Sequence, residues 1–187
     1  MLSTTELLVE HIISGILSLV WILAIVFSVT GLDASVFPMV KEYWALFAIV
    51  VTAVAYPIGI FVDTVADKML DGRNEKIRQR FNLKEDFSMM KLVHEMKDDN
   101  VRSYFTYNRF KTRVSRSSML NFAMMALSIF LFTMTRGSEV GVEQPLKIGL
   151  TVLISFSLFS VLAFFLWKEI AHTTYKRAGY LYKEYVE

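Results

Sequence analysis

The sequence contains no cysteine, only three prolines, three histidines and eight glycines. Without cysteine there is neither a disulfide framework nor a thiolate metal site. His11, His94 and His172 are far apart and none stands in an H-x-x-E-H or H-E-x-x-H spacing, so no helix-borne zinc motif is present. There is no G-x-S-x-G elbow, no Walker loop and no glycine-rich phosphate loop, which leaves nucleophilic catalysis and phosphate cradling without their usual frameworks. Internal repeats and low-complexity segments are also missing. The opening stretch MLSTTELLVEHII has neither the basic region nor the small-residue cleavage site of a signal peptide, so the first apolar run is expected to be retained as a helix.

Charge is scarce in four runs, about residues 12–32, 43–62, 118–135 and 146–167. Apolar residues make up 54 % of the chain, above the roughly 45–50 % usual in soluble domains. Each run is close to the roughly 20 residues that a helix rising about 1.5 Å per residue needs to cross a hydrocarbon core about 30 Å thick. Ser14, Gly15 and Ser18 place small residues near the start of the first run, which suits close helix contact. Tyr43 and Trp44 open the second run, where amphipathic aromatics favour the lipid–water boundary. Pro57 lies inside that run and removes one backbone hydrogen bond, so a kink is expected there, with Gly59 as the second half of a hinge.

The charge that the runs lack is gathered elsewhere. Of the 20 Lys and Arg residues, 13 fall between residues 63 and 117 and four in the tail (Lys168, Lys176, Arg177, Lys183). Only Lys41, Arg136 and Lys147 lie in or beside the two short connections. The positive-inside rule then puts the central segment and both termini in the cytoplasm, which agrees with four spans. The sequence predicts an all-α polytopic membrane protein: a first transmembrane helix pair (1–62), a cytoplasmic helical segment (63–117), a second transmembrane pair (118–167) and a cytoplasmic tail (168–187).

Within the central segment, Asp71-Gly72 is a turn signal and is expected to interrupt the chain. Helices are expected over 75–81 and 85–96, a break at Asp98-Asp99-Asn100, and a further helix from near Val101 that runs on into the third span. About 55 residues make too small a core to stand alone. Phe87, Met90, Val93 and Met96, at helical spacing, and Phe105, Tyr107 and Phe110 beyond them must therefore meet a partner or pack within the chain's own cytoplasmic bundle. The basic residues alternate with nine acids, which speaks against a nucleic-acid surface.

The second run leads into YPIGIFVDTVADKMLD, where Asp63, Asp67 and Asp71 share one helix face at four-residue spacing. Gly59, Asp63 and Asp67 read G-x-x-x-D-x-x-x-D, which is similar to the latter half of the CDP-alcohol phosphotransferase signature, whose aspartates hold metal ions. The upstream Asp-Gly-x-x-Ala-Arg element of that family is absent; WALFAIVVTAVAYPI stands in its place. The competing reading is ionic. Arg109, Arg113 and Arg116 form a basic stripe just before the third run, at the depth of Asp63 and Asp67, and antiparallel helices would bring the stripes together. Charges at a membrane edge are costly unless paired or able to reach water. The arginines could instead hold anionic headgroups, and two carboxylates with waters could hold Mg²⁺. Asn121, one turn into the third run, is placed to hydrogen-bond across helices. Ser14, Ser18 and Ser28, with Ser155, Ser157 and Ser160, would serve either a weakly polar pore lining in an oligomer or helix packing.

In outline the chain resembles small bacterial four-span membrane proteins. The resemblance is carried by Tyr56, Gly59 and Asp63 at the end of the second span and by Arg109, Arg113, Arg116 and Asn121 at the start of the third. It also looks like the membrane subunits of anti-phage defence systems such as Kiwa, in which a four-span protein works with a cytosolic DNA-binding partner. That resemblance implies membrane sensing and partner recruitment. The expectation is thus a non-enzymatic inner-membrane sensor or scaffold, homo-oligomeric with a tetramer as the first guess. It would use no cofactor and no metal, contact the bilayer and a cytosolic protein, and bind no nucleic acid directly. The alternatives are an oligomeric pore and a metal-dependent membrane enzyme acting through Asp63 and Asp67.

Overall fold

A computed structural model describes residues 4–31, 36–81, 83 and 99–186. They form five helices: α1 (Thr4–Thr30), α2 (Val36–Glu42), α3 (Trp44–Gln79), α4 (Asp99–Arg136) and α5 (Pro145–Val186). No strand occurs among the described residues. Four of the helices, all but α2, are long and apolar enough to cross a membrane. The chain is an all-α, multi-pass membrane protein.

Three helices are longer than a bilayer requires. α3, α4 and α5 have 36, 38 and 42 residues, so each extends about 54–63 Å at 1.5 Å per residue, nearly twice the hydrocarbon thickness. Each has an apolar half and a polar half with no break between them. The boundaries expected at 62, 117 and 167 therefore fall inside continuous helices. The expected turn at Asp71-Gly72 does not form, and residues 75–79 are simply the last turn of α3. The physical reason is tertiary. Leu70 and Ile77, on either side of the Asp-Gly pair, are buried against Trp167 and Ala171 of α5, and such packing outweighs a penalty of about 1 kcal/mol for one glycine in a helix. Pro57 likewise sits within unbroken helix. α4 begins at Asp99, with that acid in its first turn, close to the expected start. The helix expected over 85–96 lies outside the described residues.

Contacts along the helices set their directions. α1 and α3 run antiparallel, Gly15 against Ala55 and Gly59 against His11. α1 and α4 run parallel: Asn121 meets Ser14 and Ser18, and fifteen residues on Arg136 meets Ser28. α5 returns antiparallel along α4, with Phe122 beside Phe156 and Phe159 and with the Ser160 hydroxyl donating to the Met119 carbonyl at 2.9 Å. α3 and α5 meet in their polar halves. There Leu70, Ile77, Trp167 and Ala171 form one buried cluster, and Leu83, Phe105 and Ala178 form a second. The Arg73 guanidinium lies 4.8 Å from the Phe164 ring and the Phe81 ring 5.1 Å from His172. In the apolar halves of the same two helices Trp44, Leu46, Ile49, Ile154, Leu158 and Phe165 are exposed, as lipid-facing side chains are.

Candidate functional site: a charged junction between three helices

The junction begins with a close approach. A Cβ on Gly59 would fall on the His11 carbonyl, and a Cβ on Gly15 on the Ala55 carbonyl, 2.8 Å from the Ala55 Cα. Glycine at both positions lets the α1 and α3 backbones touch. Gly59, expected as part of a hinge, is thus a contact point in a continuous helix.

One turn beyond Gly59, Asp63 is buried. Arg116 of α4 meets it fork to fork: Nε donates to Oδ1 at 2.8 Å and Nη2 to Oδ2 at 3.0 Å. The third nitrogen, Nη1, donates to Asp67 Oδ1. The Arg116 and Asp63 side chains are 13 % and 11 % exposed, against 59 % for Asp67. Paired bidentate geometry of this kind is the strong form of an ion pair, and its position at the edge of the apolar halves removes most solvent screening. Of the three arginines in the basic stripe, Arg116 makes the ion pairs to Asp63 and Asp67. Arg109 is exposed and Arg113 half-buried.

The junction also holds a residue that belonged only to a polar leader when read from the sequence. Glu10 of α1 is 4 % exposed, and among the described residues neither carboxylate oxygen has a hydrogen-bond partner. The charges acting on it come from Arg113, Asp63, Arg116 and Arg109. The neighbouring His11 Nδ1 is buried and unpartnered as well, and its ring stands edge-on to Tyr56 at 6.0 Å. A sequence signal for Glu10 does exist: Glu10, Ser14 and Ser18 recur every four residues and so line one stripe of α1.

That stripe continues inward to Asn121, which is fully buried. Its Oδ1 accepts from Ser18 Oγ at 2.8 Å and from Trp21 Nε1 at 3.0 Å; its Nδ2 donates to the Ser14 carbonyl at 3.1 Å. At the far end of the same seam the Arg136 guanidinium donates to the carbonyls of Ser28 (3.3 Å) and Val29 (3.2 Å), the last turn of α1, and pairs with Glu139. Helix C-terminal carbonyls lack intrahelical donors, so Arg136 caps α1 from another helix.

This arrangement bears on the other uses of these residues. Both oxygens of Asp63 are occupied by Arg116, so a cation at Asp63 and Asp67 would have to displace a guanidinium; no group of three acids or histidines poised for a metal occurs among the described residues. Ser14, Ser18 and Ser28 are buried, Ser14 and Ser18 against Asn121 in the α1–α4 seam, and not spread on an open surface. Phe105 is 2 % exposed in a cluster with Leu83 and Ala178, so it packs within the chain and offers nothing to a partner; Phe110 is half-buried. Tyr107 is exposed, with the Lys111 ammonium 4.3 Å above its ring. Phe87, Met90, Val93 and Met96 lie outside the described residues. Comparison with protein-family models, with curated proteins and with solved structures finds no match to this chain.

Proposed function

We propose that this chain is a non-enzymatic sensor or scaffold of the inner membrane that works as a homo-oligomer and engages a cytosolic protein, with anti-phage defence as its setting. The observation that carries this reading is continuity. α3, α4 and α5 pass without a break from their apolar halves into a packed polar bundle, and α1 packs on α3 at Gly59, one turn from the Asp63–Arg116 pair. A tilt or shift of a span in the bilayer therefore reaches the polar bundle as rigid-body motion. Polar groups at the junction and in the seam hold helices together: Asp63 with Arg116, and Ser14 and Ser18 with Asn121. This favours a mechanical role over catalysis or conduction.

The absence of native cysteine makes the test direct. Single substitutions Tyr107→Cys, Tyr180→Cys and Val140→Cys occupy exposed positions at opposite ends of the helices. In intact cells an impermeant thiol reagent should label only Val140→Cys, with the other two labelled after the membrane is opened. Photo-crosslinkers at positions 107 and 180 should capture a soluble protein in living cells. Crosslinks to lipid and to copies of the chain alone would overturn recruitment. Steady ion flux through proteoliposomes of the purified chain would overturn the scaffold reading in favour of the pore.

A further inference from the structure

A carboxylate that is ionised, buried and without a donor is among the costliest states a side chain can occupy. Glu10 is buried at 4 % exposure with both oxygens unpartnered among the described residues. Two remedies exist: the group binds a proton, or it draws in a cation. The neighbours decide which cation. Arg116 is committed, its three nitrogens serving Asp63 and Asp67. Arg109 is exposed at the surface and has an interaction of its own. Arg113 is half-buried, three residues before Arg116 on the same face of α4, and is the cation of the stripe left for Glu10. From α3, Asp63 lies one turn beyond the contact of Gly59 with His11, the residue next to Glu10 on α1.

We propose that Glu10 is a proton-controlled latch between α1 and α4: neutral, it rests in the buried position of this structure; ionised, it takes the Arg113 guanidinium and pulls the first turns of α1 into a second packing. The proton exchanges with water at the membrane edge. The motion has a fixed pivot and a free end. Further into the seam, Asn121 pins α1 through Ser14, Ser18 and Trp21, and the glycine contacts at Gly15 and Gly59 hold it to α3. On the other side of Glu10, Leu8 and Val9 are exposed. The change is thus confined to the turns before His11, whose carbonyl is held against Gly59. This device goes beyond the scaffold reading and does not depend on any partner.

The test uses the full chain in lipid nanodiscs, with spin labels at the exposed positions Leu8 and Tyr107, over about pH 5 to about pH 9. The distance distribution should shift between two populations along a one-proton titration, and difference infrared spectra should lose one protonated-carboxyl band over the same range. Glu10→Gln should hold the low-pH distance throughout and lack the band. Arg113→Gln should keep the band but lose the high-pH distance, and His11→Gln should titrate as the native chain does. A pH-independent distance in the native chain overturns the proposal. So does a Glu10→Gln variant that still titrates, or a shift that disappears with His11. Folded state is followed in each variant by circular dichroism and thermal unfolding, so a misfolded variant is recognised as such.

Discussion

Arg116 holds Asp63 at both carboxylate oxygens, by Nε at 2.8 Å and Nη2 at 3.0 Å, from a position 53 residues away in the chain. Its remaining nitrogen reaches Asp67. One guanidinium thus serves two acids of very different burial, and the two should respond differently to substitution. Arg116→Ala leaves a buried carboxylate without a partner, and we expect a loss of roughly 3–5 kcal/mol. Asp63→Ala leaves Arg116 still paired with Asp67 and should cost less. Asp67→Ala, at an exposed site, should cost under about 1 kcal/mol. Arg116→Lys should not restore stability, because an ammonium cannot bridge both oxygens in the planar fork. Unfolding in mixed micelles with a double-substitution cycle measures these terms; equal costs at Asp63 and Asp67 would contradict the geometry.

The glycines yield predictions of opposite sign. Gly59→Ala and Gly15→Ala place a Cβ on a facing backbone carbonyl and should destabilise the α1–α3 pair by about 1–3 kcal/mol, the usual range for overpacking. Gly72 sits mid-helix with nothing within 4 Å of where its Cβ would be. Gly72→Ala should stabilise by roughly 0.5–1 kcal/mol, since it removes backbone freedom from the unfolded chain and adds no clash. A destabilising Gly72→Ala would mean that α3 is interrupted there after all.

Asn121→Leu removes one amide that serves Ser14, Ser18 and Trp21 together. Single interhelical hydrogen bonds in membranes average about 0.6 kcal/mol, so the loss should be about 1–2 kcal/mol, with the Trp21 indole left unpartnered. The Trp21 contribution to the emission, taken as the difference from Trp21→Phe, should shift, and Asn121→Asp should not substitute, because a carboxylate has no N–H to give to the Ser14 carbonyl.

Arg136→Gln tests the cap at the other end of the seam. The guanidinium hydrogen bonds to the Ser28 and Val29 carbonyls disappear, at about 0.5–1.5 kcal/mol each. Hydrogen exchange should quicken over the last turn of α1 while the Asp63–Arg116 end is unchanged. Gly31→Ala should add to this, because Gly31 closes the helix at φ 81°, a region that costs an L-residue about 1–2 kcal/mol.

Much of this protein was legible in one dimension. Four apolar runs of the right length specify four spans, because backbone groups in lipid must be satisfied within helices. The aspartate and arginine stripes were visible as well, since four-residue spacing alone puts side chains on one helix face. Which arginine takes which aspartate was not visible. That depends on the rotation and register of α4 against α3, and packing sets both. The Asp71-Gly72 signal misled for the same reason: a local preference of about 1 kcal/mol is overruled by the burial of Leu70 and Ile77 against Trp167. Glu10 shows the limit most plainly. Its position on the stripe with Ser14 and Ser18 follows from the sequence, but its burial does not. Only the packing of helices from distant parts of the chain turns an ordinary leading acid into a buried carboxyl.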